Sequence, residues 1–528
     1  MPQSAPRSRR SPARLTLVAA ATVSALLAAM VSTPTATATA SAPRGTSAPL
    51  TTVQVGGPTT EGRVQHTMRP ERALARAKAA LSPATKPGKR PDATMALRAL
   101  ALVKDRLSPD DRAAAEALAG RPVKPSAIEG GNIRLHYNAL EFTGPFDQND
   151  ALNTMVSVSQ AFSTGGYRQP KADGSLGGNA KTDVYIDQLP LGLYGYCTSD
   201  DPNIGQGGKY DTWAFCVLDN DYLGFPMNTP LENLQVTAAH EYYHAVQFAY
   251  DIQEDGWFME ATAAWAEDEI YDGVDDNVQY LASSPIKHPQ RSMDKFGGSF
   301  HYGAWIFFRY LSEKFPQQKG QLPKLLLNMW KAADSSKGPS KDRYSTQAIN
   351  KVLSKQKLPL DKAFSLFSDL NRRTHTGYEE GAANNYPVKK LEGKKTLRNK
   401  GQGKRFKAKL NHLTSATFRY TPDGLGGSKF KLRLNFDMAP KAKGSRAVVS
   451  TYKQSGGVKT KVVRLNGQGN GVLKASFSSS SVKYVEVTLI NASTRYTQCY
   501  VQSTPFSCSG KPVDQAVRSA VRGTVTKG

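Results

Sequence analysis

The sequence predicts an α+β protein, and three observations carry that reading. Short alternating segments at 133–137, 183–186 and 214–218 suit β-strands, and long helical patterns follow from about 231 to 370. Beyond 386 short alternating segments return. Strands first and helices afterwards suggest an α+β domain, and 528 residues favour two or three domains.

The elements follow in chain order. Arg7, Arg9, Arg10 and Arg14 precede an apolar run from Leu15 to Met30, and Ala38-Thr39-Ala40 suits cleavage, so residues 1–40 are expected to be a secretory signal peptide. The run is short for a membrane span of roughly 20 residues, and no later stretch is long and apolar enough to make one. Export agrees with the four cysteines, expected as the local disulfides Cys197–Cys216 and Cys499–Cys508. A four-cysteine zinc site is disfavoured because no C-x-x-C spacing occurs.

Residues 41–128 are expected to be a linker followed by a helical segment. Ser41–Thr60 is rich in Thr, Ser, Pro and Gly, which gives a flexible coil. Helices fit 70–118: Ser108-Pro109-Asp110-Asp111 supplies an N-cap, proline in the first turn and early acids, and Gly120 marks the stop. This segment carries few large apolar residues, so it suits a propeptide or an add-on that packs on the domain at 129–386. Residues 387–510 open on a burst that includes Lys389, Lys394, Arg398 and Arg405. They continue through alternating stretches at 430–436, 447–452 and 484–490, which predicts a basic β-sandwich with a tail at 511–528. Few aromatic residues are arranged to stack on bases. Nucleic-acid binding is therefore not expected, and weak adhesion to an anionic cell-surface polymer is the milder inference.

Chemistry concentrates in His240-Glu241-Tyr242-Tyr243-His244. Thr229-Pro230-Leu231-Glu232 forms a capping box, so the motif sits inside a helix running to about Tyr250. Residues four apart share a helix face, which lets both imidazoles reach one zinc, while Glu241 is rotated by about 100° and stands beside the metal as a general base. Gln247 and Tyr250 replace the glycine and third histidine of the longer H-E-x-x-H-x-x-G-x-x-H motif. The third ligand is instead expected from Glu260, on a second helix whose Ala261, Ala263 and Ala264 allow close approach, with Asp255-Gly256 making the turn.

His240-Glu241-x-x-His244 with a later Trp257-x-x-Glu260-Ala261 resembles the gluzincin metallopeptidases, which include thermolysin-like proteases and zinc aminopeptidases. The resemblance spans Leu231 to Glu269, and the wider pattern is similar to secreted bacterial metalloproteases of that clan. It implies a zincin-like domain with His240, His244 and Glu260 as zinc ligands and Glu241 as base. Only fifteen residues separate His244 from Glu260, fewer than in well-known members, and Ala264 stands where those members often place an acid. Glu267 either orients a ligand histidine or is a solvated helix acid. Gly224-Phe225-Pro226-Met227-Asn228 lacks the glutamate with which the aminopeptidases seize an amino terminus, which favours an endopeptidase.

An oxyanion donor is also needed. Phe300 holds the position of the aminopeptidase tyrosine, which leaves Tyr302 and His301 as candidates. Asp272–Asn277 and Asp173–Asp183 offer close-spaced oxygens for calcium without the EF-hand spacing, so solvated loops are the competing reading. The strand at 213–218 is either the sheet edge that pairs with an extended substrate or an interior strand. The expected function is a secreted zinc endopeptidase acting on proteins or peptides. The alternatives are a secreted adhesion or binding protein with a structural or relic zinc site, and a zinc hydrolase of a non-peptide bond.

Overall fold

The computed structural model describes residues 68–528, Pro226 excepted; the expected signal peptide and linker lie outside the described residues. The architecture is α+β. Three leader helices come first: α1 (Pro70–Leu81), α2 (Ala93–Ala101) and α3 (Pro109–Leu118). Asp92 caps α2 and Ser108 caps α3, each accepting from a first-turn amide.

A five-stranded sheet follows, built from β1 (Ser126–Gly130), β2 (Ile133–Tyr137), β3 (Thr182–Asp187), β4 (Gly195–Thr198) and β5 (Phe215–Asp219) in the order β1-β2-β3-β5-β4. β2, β3 and β5 run parallel, and β1 and β4 pair antiparallel at the two edges. The strand expected at 213–218 is thus interior, and β4 forms the edge beside it. Only four residues long, Gly-Tyr-Cys-Thr offers no alternation to read in the sequence. The disulfide Cys197–Cys216 joins β4 to β5 at directly opposed positions.

Alternation in the strands dresses both faces of this sheet. Ile133, Leu135, Val184, Ile186 and Leu218 pack under α4 (Gln148–Thr164) and α5 (Pro230–Asp251). Tyr185, Tyr196, Phe215 and Val217 pack under the leader helices through Leu97, Leu100 and Ala96. The leader is therefore the third layer of the domain.

The helical half continues with α6 (Gly256–Ile270), α7 (Phe300–Gly303) and α8 (Trp305–Lys314), then a short hairpin of β6 (Gln318–Lys319) and β7 (Leu322–Pro323). Next come α9 (Lys324–Ala332), α10 (Ser345–Lys355), α11 (Leu360–Leu370) and α12 (Thr374–Gly377). Trp257, Trp265, Trp305 and Trp330 are all fully buried here.

Two sheets then share one core. The first holds β8 (Gly393–Leu397), β10 (Thr414–Pro422), β12 (Ser445–Lys453), β13 (Val458–Val462) and β15 (Val482–Asn491). The second holds β9 (Gly403–Leu410), β11 (Phe430–Met438), β14 (Asn470–Ser476) and β18 (Val517–Lys527). Phe418, Val485 and Val487 from one meet Leu432, Leu434 and Val521 from the other. A two-residue ladder of β16 (Tyr496–Thr497) and β17 (Lys511–Pro512) flanks the second disulfide, Cys499–Cys508.

Residues 511–528 are not a tail, because β18 lies between β11 and β9. Its inward positions alternate large and small, with Ser519 and Gly523 between Val517, Val521 and Val525. That spacing blurs the two-residue period. Gly523 is required: a Cβ there would stand 2.7 Å from the Tyr420 ring.

Candidate metal centre

α5 begins as its sequence dictates. Thr229 accepts from Glu232 N at 3.3 Å, Glu232 accepts from Thr229 N at 2.9 Å, and Pro230 occupies the first turn. α6 returns after a tight turn, and Ala261, Ala263 and Ala264 are fully buried. These small side chains leave room for close approach, so Glu260 reaches the two histidines of α5.

The geometry is that of a ligand set. His240 Nε2 lies 3.2 Å from Glu260 Oε2, and His244 Nε2 lies 3.3 Å from Glu260 Oε1. Ligand atoms about 2.0–2.1 Å from a tetrahedral zinc stand about 3.3–3.4 Å apart; the two observed separations are close to this, each to a different oxygen of Glu260. Among the described residues, these three form the one group of three whose donor atoms converge, all within 4.8 Å.

The surroundings fix which nitrogens face inward. His240 Nδ1 donates to Glu267 Oε1 at 2.6 Å, since a carboxylate only accepts. Gln247 spends its amide protons on Met259 O (3.0 Å) and Thr262 Oγ1 (3.2 Å), so its carbonyl accepts from His244 Nδ1 at 2.8 Å. Both Nε2 atoms then face the buried Glu260 carboxylate; burial alone would lower the histidine pKa values, but the neighbouring carboxylates raise both. His244 Nε2 and Glu260 Oε1 make no hydrogen bond. Lone pairs opposed to carboxylate oxygens repel unless a proton or a cation lies between them, and the donor set suits a divalent metal. Burial alone would raise the Glu260 pKa, but His244 and His240 hold it well below the usual carboxylate range. Glu267 is pushed up to about 7 by burial, moderated by His240. It is a buried, hydrogen-bonded partner of His240 and not a solvated acid.

Glu241 lines the same cavity as the three residues and is 6% exposed. Burial raises its pKa, with the histidines opposing. Its Oε2 accepts from Thr94 Oγ1 of α2 at 3.1 Å. Thr94 itself accepts from the backbone N–H of Cys197 on β4 at 3.0 Å, so its single proton is committed to Glu241. Tyr302 lies on the other side, its ring centroid 5.9 Å from that of His240, and its hydroxyl donates to Asp92 Oδ2 at 2.7 Å. His301 Nδ1 accepts from Gly297 N at 3.1 Å, and its Nε2 is 3.7 Å from the same Asp92 oxygen. A cavity of about 570 Å³ joins these groups; His240, Glu241 and Tyr302 line it together with Gly195, Asp92 and Arg76.

Sequence reasoning missed Thr94, Asp92 and the role of Gln247. The leader residues lie 147 and 210 positions from their partners, and no local pattern connects them. The acid clusters offered for calcium are otherwise engaged. Arg121 fills the centre of the first, bonding Asp173 at 2.6 Å, Asp200 at 2.7 Å and also Asp183. In the second, Asp276 accepts from Asn228 at 2.8 Å and Gln279 at 2.9 Å, and Asp275 accepts from Asn384 at 2.5 Å.

Comparison with known proteins gives no match to any protein-family model and none to a curated protein. Among solved structures, a pre-peptidase C-terminal domain of a collagenase from Bacillus anthracis is similar at 6% identity and a TM-score of 0.16, over 26% of this chain and 100% of that one. A periplasmic inhibitor of g-type lysozyme from Aeromonas hydrophila is similar at 10% identity and a TM-score of 0.13, over 25% of this chain and 98% of that one. Likenesses this slight carry no argument, and the chemistry of the centre rests on its own geometry.

Proposed function

We propose that the protein is a zinc-dependent endopeptidase that acts outside the cell, with His240, His244 and Glu260 as ligands and Glu241 as general base. The observation that carries the reading is the convergence of two oriented imidazoles and a buried carboxylate, their donor atoms within 4.8 Å of one another, with a second carboxylate lining the same cavity. The two disulfides suit an oxidising compartment, and no helix of the described residues is long and apolar enough to cross a membrane.

Bound zinc would act as a Lewis acid that acidifies water and polarises a carbonyl. The chain's own groups do the rest. Thr94 pins Glu241 Oε2, which leaves Oε1 to take a proton within the cavity. Burial keeps Tyr302 protonated well above its usual range, so it is a neutral donor; to serve an oxyanion it must leave Asp92. An extended substrate needs a strand edge, and the one beside Glu241 belongs to β4 at Gly195.

The test pairs metal analysis with a peptide-library digest on wild type, Glu241→Gln and His244→Ala. One zinc per chain is expected in the first two and little in the third, with cleavage in wild type alone. Full zinc without cleavage in wild type would favour a binding protein with a structural metal instead.

A further inference from the structure

Residues 387–528 hold 28 lysines and arginines against five acids, so they carry +23 of the chain's +25. Eight of these cations lie on one surface. In the sheet β14-β11-β18-β9 the inward positions fill the sandwich core, and the alternate positions form the outer face.

Register places cations opposite cations on that face. Arg433 faces Lys474, Arg522 faces Arg405, and Arg518 faces Lys409. All six are exposed. Like charges directly opposed across strands destabilise a sheet, so three such pairs on one face oppose folding unless an anion relieves them. Lys407 and Lys431 extend the set along β9 and β11. The one acid among them, Asp437, is already bonded to Arg405, and among the described residues none of the other seven cations has an acidic partner.

The layout is a band and not a ball. Ladder rows run from Lys431 through Arg433–Lys474, then Arg522–Arg405, then Lys407, to Arg518–Lys409. Five rows two residues apart span about 27 Å, with neighbouring strands about 4.8 Å apart. The outward positions of these strands include no aromatic side chain, so the face has nothing on which a base would stack.

We propose that this face binds a linear phosphate-bearing polymer without bases, laid along the cationic band, so that the sandwich holds the protein on a polyanionic surface. Arginines supply forked donors to phosphate oxygens along the track, and release of counterions drives binding.

The test uses the full chain and linear inorganic polyphosphate, titrated at several salt concentrations. Wild type is expected to bind with an affinity that falls steeply with salt. Arg433→Gln/Arg518→Gln/Arg522→Gln breaks one partner of each pair. It should weaken binding at least tenfold and reduce the log–log salt slope by about 2–3. Its thermal midpoint at low salt should hold or rise, because repulsion is removed. Lys341→Gln/Lys351→Gln/Lys355→Gln removes equal charge from the helical half and should leave binding intact. Equal weakening by both triples would overturn the proposal by showing diffuse attraction only. So would tighter binding of single-stranded DNA than of polyphosphate, or wild type that does not bind polyphosphate. Should the face triple fold poorly, the single Arg522→Gln and Lys407→Gln variants serve: each should cost about one unit of slope, and no change in either would refute the site.

Discussion

At the scale of residues, the grouping of the proposed ligand trio was legible and its support only in part. His240 and His244 announce themselves by their i, i+4 spacing, and Glu260 by a small-residue helix arriving after a turn. Glu267 left two readings open because helix periodicity gives a face but not the depth of burial. Gln247 stood out only as a departure from a longer motif, yet it selects the tautomer of His244. Oriented partners of this kind typically contribute 10–100-fold to metal affinity. Glu267→Gln should therefore keep the fold and weaken zinc binding by roughly tenfold in a chelator competition, with Gln247→Leu acting likewise at His244. Unchanged affinity in both would mean that the two imidazoles hold their orientation without these partners.

At the scale of elements, the strands and helices with clean periods were readable, whereas β4 and β18 were not. β4 is too short to show alternation, and in β18 small residues alternate with valines on the inward face. The leader was readable as helix but not as a layer, because its partners lie far along the chain. Its placement changes its meaning: α2 brings Thr94 to Glu241 and closes over Tyr185 and Phe215. Thr94→Val keeps the volume and removes the donor. Zinc content should stay at one per chain while kcat falls by about tenfold, the size of one lost charge-assisted hydrogen bond of about 1.5 kcal/mol, with KM little changed. A rise in activity would instead identify α2 as an obstruction that Thr94 latches in place.

At the scale of the whole molecule, the helical half and the sandwich are fastened by groups no sequence pattern marks. Lys389 is fully buried and donates to Ser368 O of α11 at 2.9 Å and to Ser415 Oγ of β10 at 2.8 Å. Burial lowers its pKa to about 7, against an ordinary value near 10.5. Between those limits the unfolded chain binds a proton that the folded chain lacks, so stability rises with pH across that window and is flat below it. The difference in unfolding free energy between wild type and Lys389→Met should shift by several kcal/mol in favour of wild type from pH 7 to pH 10. A difference independent of pH would place the lysine's proton in the folded state throughout.

The turn that sets α6 against α5 is itself held from far away. Asp255 accepts from Cys508 N at 2.7 Å and Ser345 Oγ at 2.5 Å, and Trp257 Nε1 donates to Ser507 Oγ at 3.1 Å. Cys508 follows Asp255 by 253 positions and belongs to the loop closed by Cys499. A chain emerging from its amino end therefore exposes both histidines and Glu260 long before the clasp that spaces them has been made. Those bracing contacts wait on residues 499–508, nearly the last of the chain to be made. Unfinished or reduced chains would carry the three residues without the contacts that brace the turn between their helices.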